Sequence, residues 1–103
     1  MTHVKLRFGA EYVVSAEGHA TGSPQLCAAV SCLLYTLAGW LRNTKREQIT
    51  EMKLEDGSAR LAWSGGAGSE TAMELMLIGF LSLRETEPER ISVEIIDEDE
   101  ENG

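Results

Sequence analysis

The sixteen residues from Leu26 to Leu41 carry no charged side chain, and this run limits the possible folds more than any other stretch of the sequence. Ser23 suits a helix N-cap and Pro24 the first helical position, so the spacing predicts a helix from Pro24 to about Leu41. On a helical wheel Leu26, Val30, Leu33, Leu34, Leu37 and Leu41 form one stripe, while Ala28, Cys32, Tyr35 and Gly39 form an uncharged opposite face. With Ser31, Thr36 and Gly39 inside it, the run is read as too short and too interrupted for a membrane span of roughly 20 residues. A helix without a polar side is covered on both sides. In a chain of 103 residues, which buries only about 60 to 65% of its unfolded surface, a second copy is the simplest cover, and a homodimer is expected.

Elsewhere the sequence alternates between two periods. Val4, Leu6 and Phe8 follow period 2, and Tyr12 to Ala16 is a second extended run at hairpin distance. Thr50 to Glu55 and Ser58 to Trp63 flank Asp56-Gly57, a strong hairpin signal, with Met52 and Leu54 expected to face Leu61 and Trp63. A flexible Gly65-Gly66-Ala67-Gly68 connector precedes a second helix over Glu70 to Thr86, with Ser69 as its expected N-cap and Met73, Met76, Leu77, Phe80 and Leu81 on one face. Pro88 ends that helix, and Ile91, Val93 and Ile95 alternate as a last strand. The order strand, strand, helix, strand, strand, helix, strand predicts an α+β domain over residues 1–96: one sheet with two helices packed on one face.

Charge divides the chain unevenly. Nine Lys and Arg stand against 17 Asp and Glu, and five of the acids (Asp97, Glu98, Asp99, Glu100, Glu101) fall within the last seven positions. Residues 97–103 therefore read as a disordered acidic tail on a body of net charge −3. The basic cluster Arg42, Lys45 and Arg46 sits where a helix C-terminus favours cations. Nucleic acid and anionic membrane are not the expected partners, because both demand clustered Lys and Arg. Cys27 and Cys32 are five apart, which excludes a disulfide framework and a CxxC pair, so reduced thiols and a cytoplasmic setting are expected. His3, His19, Cys27 and Cys32 have no recognisable metal-ligand spacing, and Ser64 to Ser69 lacks the lysine of a phosphate loop, so neither metal nor cofactor is expected.

Chemistry concentrates between Glu17 and Ser31. A histidine, His19, follows a predicted strand, and Cys27 lies in the opening of the next helix, joined to it by a short loop. Amide groups and the positive macrodipole end at a helix start favour a thiolate and can receive an oxyanion. Taken on spacing alone, this pair has two readings: a base and nucleophile, or a turn histidine beside a small buried thiol.

Gly18-His19-Ala20 and Cys27-Ala28-Ala29-Val30-Ser31 resemble the ribosomal-processing cysteine protease family, Prp. The resemblance extends over most of the chain, including the Asp-Gly hairpin and the segment Thr71 to Gly79. It implies a homodimeric thiol protease that removes a short N-terminal extension from a large-subunit ribosomal protein. By position it implies His19 as base and Cys27 as nucleophile, with Gly18, Ala28 and Ser31 as supporting residues and Thr21, Gly22 and Ser23 as the substrate loop. Two departures accompany it. The loop from Ala20 to Leu26 is shorter than is typical, and Pro24 stands where members commonly carry Asp. They leave open a second reading, a catalytically impaired homodimeric module that binds a peptide or ribosomal protein.

Overall fold

The computed structural model describes residues 1–19, 22–44 and 48–97. Its elements are β1 (Thr2–Phe8), β2 (Glu11–Glu17), α1 (Pro24–Thr44), β3 (Gln48–Glu55), β4 (Ser58–Ser64), α2 (Ser69–Thr86) and β5 (Ile91–Asp97). The five strands form one sheet in the order β3-β4-β2-β1-β5, antiparallel throughout except where β5 returns beside β1 in parallel. The architecture is the α+β arrangement expected from the two periodicities.

Strand alternation determines which face the helices cover. Val4 and Leu6 of β1 pair with Ala16 and Val14 of β2, and those in turn with Ala59 and Leu61 of β4. All six are buried in one cluster with Leu26, Leu34, Leu37 and Leu41 of α1 and Met73, Met76 and Phe80 of α2. Burying a side chain of this size stabilises the fold by about 1.5 to 3 kcal/mol, so this layer dominates folding. The opposite sheet face is polar, with the ion pairs Lys5–Glu94 at 3.7 Å and Arg60–Glu51 at 2.8 Å in the open. Exposed pairs of this kind contribute little.

Several expectations need correction. Helix α1 runs three residues past Leu41, and at 21 residues it meets the length and apolarity of a membrane span. Leu26, Val30, Leu34, Leu37, Ala38 and Leu41 along it are nonetheless buried inside the domain. Its other side is exposed: Tyr35 keeps 60% of its surface, and Leu75 and Ile78 of α2 about as much. The hairpin register pairs Met52 with Leu61 as expected, but Leu54 with Ala59, two residues closer to the turn in the same register, while a slip between Ile49 and Glu51 sets Ile49 opposite Trp63. Asp97, expected to open the tail, is the last residue of β5 and pairs with Phe8. Lys45, Arg46 and the acids from Glu98 onward lie outside the described residues.

Ser69 is not the N-cap of α2. Gly68 takes that position with φ of 95° and no side-chain cap, while Ser69 is the first helical residue. Its hydroxyl accepts a hydrogen bond from Trp63 Nε1 at 3.0 Å and donates to the Gly65 carbonyl at 2.7 Å. Trp63 is fully buried, and a buried indole N–H without an acceptor is costly. That need outweighs the capping preference of a serine.

Candidate active site

The candidate residues His19 and Cys27 meet near one end of β2. The strand ends at Glu17, and Gly18 turns the chain with φ of 90° while its N–H donates to the Gly57 carbonyl at 2.8 Å. A Cβ at Gly18 would run into the Met1 carbonyl, so only glycine fits here. His19 follows and lays its imidazole across Gly57, in the turn between β3 and β4. A Cβ added to Gly57 would lie 2.5 Å from His19 Nε2, and Gly57 itself has φ of 74°. The Asp-Gly turn that closes the hairpin is thus also the seat of the histidine.

Cys27 arrives from the other side, on the start of α1. Ser23 caps that helix as expected, its Oγ accepting the Leu26 N–H at 3.3 Å and its carbonyl accepting the Cys27 N–H at 3.2 Å. These bonds also modify the expectation for the first-turn amides. Pro24 has no N–H, and those of Leu26 and Cys27 are engaged, so the Gln25 N–H is the early donor that no described residue occupies.

His19 and Cys27 line one pocket of about 70 Å³, together with Gly18 and Ser31. Its remaining wall is Thr2 and the hairpin turn, Glu55, Asp56, Gly57 and Ser58, over a floor of Ala16, Val30, Leu34 and Ala59. A second hollow of about 210 Å³ shares Ser31, Leu34, Glu55, Asp56, Gly57 and Ala59 with it and adds Tyr35 and Leu54. Together they make a groove that starts at the thiol and continues along α1. Cys27 is half-buried and His19 exposed, so both are open to a ligand entering there. Glu55 and Asp56 are the charged groups among the groove's described residues, and Glu55 is paired with Lys53 at 3.7 Å.

Other expected site residues lie elsewhere. Ala28 is exposed and outside the described lining of the pocket. Ser23 turns away from it, donating its hydroxyl to Glu87 Oε2 at 2.8 Å, and Gly22 lies against the Arg90 guanidinium. Thr21 is outside the described residues. Cys32 is exposed on the outer side of α1, and His3 hydrogen-bonds Ser92 at 2.8 Å on the polar sheet face. Among the described residues no three His, Cys, Asp or Glu side chains form a group able to hold a metal.

The turn from Glu55 to Ser58 is expected from the sequence as a hairpin turn, but not as a wall of the pocket. A signal was present in the pairing of strands: β2 and β4 are neighbours with Glu17 opposite Ser58, which carries the hairpin turn to the end of β2, where His19 begins.

No protein-family model and no curated protein matches this chain. Solved structures do. The ribosomal processing protease Prp from Staphylococcus aureus, in complex with a substrate peptide, superposes with a TM-score of 0.73 at 16% identity, covering 92% of this chain and 99% of that one. The same protease with a covalently linked product peptide gives 0.71 at the same identity and coverage. A protein from Streptococcus mutans gives 0.65 at 23% identity, covering 94% of this chain and 93% of its own. At these identities the likeness is one of fold, and it spans essentially the whole of each chain.

Proposed function

We propose that this chain is a cysteine endopeptidase that removes a short N-terminal extension from a large-subunit ribosomal protein, acting in the cytoplasm. The observation that carries the proposal is the meeting of His19 and Cys27 in one pocket at the opening of α1, within a fold shared with a protease whose structures hold substrate and product peptides.

The chemistry follows from the groups present. Cys27 Sγ, as thiolate, attacks the scissile carbonyl carbon; a C–S bond forms and the carbonyl π pair moves onto oxygen. The first-turn amides of α1 would meet that oxyanion, and among them the Gln25 N–H is the one that no described residue occupies. Collapse of the intermediate breaks the C–N bond, and the imidazolium of His19 gives its proton to the leaving amine. Water then attacks the thioester with His19 as base, releasing the carboxylate product and the thiol. Extended peptide chain would lie in the groove between α1 and the β3–β4 turn.

The exposed apolar side of the helical layer, Tyr35 of α1 with Leu75 and Ile78 of α2, is the surface on which a second copy would pack. A groove of about 440 Å³ between the helices, lined by Trp40, Leu75 and Met76, adjoins it.

Incubating the protein with the extended ribosomal-protein N-terminus should give one cut, abolished in Cys27→Ala. Iodoacetamide should modify Cys27 quickly at neutral pH and at least about tenfold more slowly in His19→Ala. Equal rates in the two proteins would sink the dyad. The competing reading, a binding module that no longer cleaves, is favoured by the tightness of the pocket at about 70 Å³ and by Pro24 in place of the family's Asp. It predicts a stable complex and a substrate of unchanged mass.

A further inference from the structure

We infer that Glu87, the residue that ends α2, is a positioning residue for the site: it holds the first turn of α1, and Cys27 with it, through the buried hydroxyl of Ser23. Ser23 is 5% exposed and makes bonds in two directions. Its oxygen accepts the Leu26 N–H at 3.3 Å inside α1, and its proton goes to Glu87 Oε2 at 2.8 Å. A hydroxyl that donates to a carboxylate is a stronger acceptor for its second partner, so the cap and the tether reinforce each other.

Glu87 is itself held from several sides. Its N–H donates to the Leu83 carbonyl at 2.9 Å, its carbonyl accepts the Arg90 N–H at 3.1 Å, and its Oε1 accepts from Arg90 Nη1 at 3.2 Å. The Arg90 carbonyl in turn accepts the Thr2 N–H at 2.9 Å, and Thr2 borders the same pocket as Cys27. A load path therefore runs from the start of β1 through Arg90 and Glu87 to the helix that carries the thiol. The loop between histidine and cysteine is fixed at both ends: by Gly57 on the His19 side and by Glu87 on the Cys27 side. With Pro24 in place of the family's Asp, the Cys27 end of the loop is thus tied, through Ser23, to the far end of α2.

The tether is a structural statement; its effect on chemistry rests on the peptidase reading, and the tests separate the two. Amide exchange followed by NMR reports the tether. In Glu87→Ala the Leu26 and Cys27 amides should lose at least fivefold in protection while the amides of β2 hold theirs. Glu87→Gln keeps an acceptor for Ser23 and loses only the half-exposed Arg90 pair, so it should stay within twofold of the native protein. Iodoacetamide then reports the thiol, with Cys32 on the same helix as internal reference. The ratio of Cys27 to Cys32 rates should fall at least threefold in Glu87→Ala and be restored in Glu87→Gln. Where the native protein cleaves, kcat should drop about tenfold in Glu87→Ala with KM little changed. Unchanged exchange in Glu87→Ala, or equal loss in the Ala and Gln variants, overturns the tether. A loosened first turn with an unchanged Cys27 to Cys32 ratio overturns the positioning role. Absence of cleavage by the native protein alongside both expected effects removes the peptidase reading alone.

Discussion

The two helices begin in similar sequence, Gly22-Ser23-Pro24 and Gly68-Ser69-Glu70, and the structure uses the two serines for different ends. Ser23 sits before its helix as N-cap and sends its proton outward to Glu87. Ser69 sits inside its helix and turns toward the core, where it satisfies the indole of Trp63. At α1 the polar network ties the helix start to the end of α2, and at α2 it serves the packing of a single large side chain. A small residue with a hydroxyl takes whichever role its buried neighbours require. The candidate site lies beside the helix start whose serine sends its proton to Glu87 rather than serving a core side chain.

Ser69→Ala puts this contrast to its severest test. It leaves the Trp63 N–H without an acceptor in a fully buried position and the Gly65 carbonyl without its donor. The penalty for such a group is about 1 to 3 kcal/mol. For a domain of this size that lowers the melting temperature by about 10 °C. Thermal unfolding by circular dichroism measures the loss, and Ser69→Thr, which keeps the hydroxyl, should recover most of it. Cys27 alkylation should not change in the folded protein. A slowed Cys27 would mean that the two helix starts are coupled and that the comparison is false.

Gly57→Ala acts at the other end of the loop and should cost less stability but more chemistry. Alanine at φ of 74° costs about 1 kcal/mol. Its methyl would also occupy space within 2.5 Å of His19 Nε2, so the ring has to leave its seat. The expected outcome is a modest fall in melting temperature together with a Cys27 alkylation rate close to that of His19→Ala. Native alkylation in Gly57→Ala would show that the imidazole does not act from the position it occupies on the turn.

How much of this was legible in the sequence depends on the range of the interaction. Every element could be read from periodicity and turn chemistry, because Val4, Leu6 and the α1 stripe report a buried face through local spacing alone. The Ser23 cap and the Asp56-Gly57 turn are local as well. The second partner of each was not legible. That Gly57 seats His19, that Ser23 reaches Glu87 and that Ser69 answers Trp63 all depend on which strands and helix ends become neighbours. Asp97 joined β5 for the same reason: its charge argued for solvent, but pairing with Phe8 at the end of the sheet leaves the carboxylate at the margin and satisfies the backbone. Placing His19 and Cys27 near each other needed only a short loop, whereas the acidic wall opposite them needed the sheet order.

The smallest effect belongs to Glu70, and it sharpens the contrast between the helix starts. Glu70 lies in the first turn of α2, where a carboxylate complements the positive end of the macrodipole, and accepts from Tyr12 OH at 3.3 Å. Tyr12 stacks on Trp63 with ring centroids 5.6 Å apart, so the exposed bond from Tyr12 links Glu70 to the core. Its charge is worth about 0.3 to 1 kcal/mol at low salt, while the first turn of α1 has no acid at all. Glu70→Gln should therefore lower stability by a few tenths of a kcal/mol, measurable by urea titration, with the difference shrinking at high ionic strength. A loss that persists undiminished in salt would assign the effect to the Tyr12 hydrogen bond rather than to the dipole. The start of α2 would then be held by contacts of the Trp63 cluster alone, and the absence of an acid from the first turn of α1 would carry no electrostatic meaning for the thiol nearby.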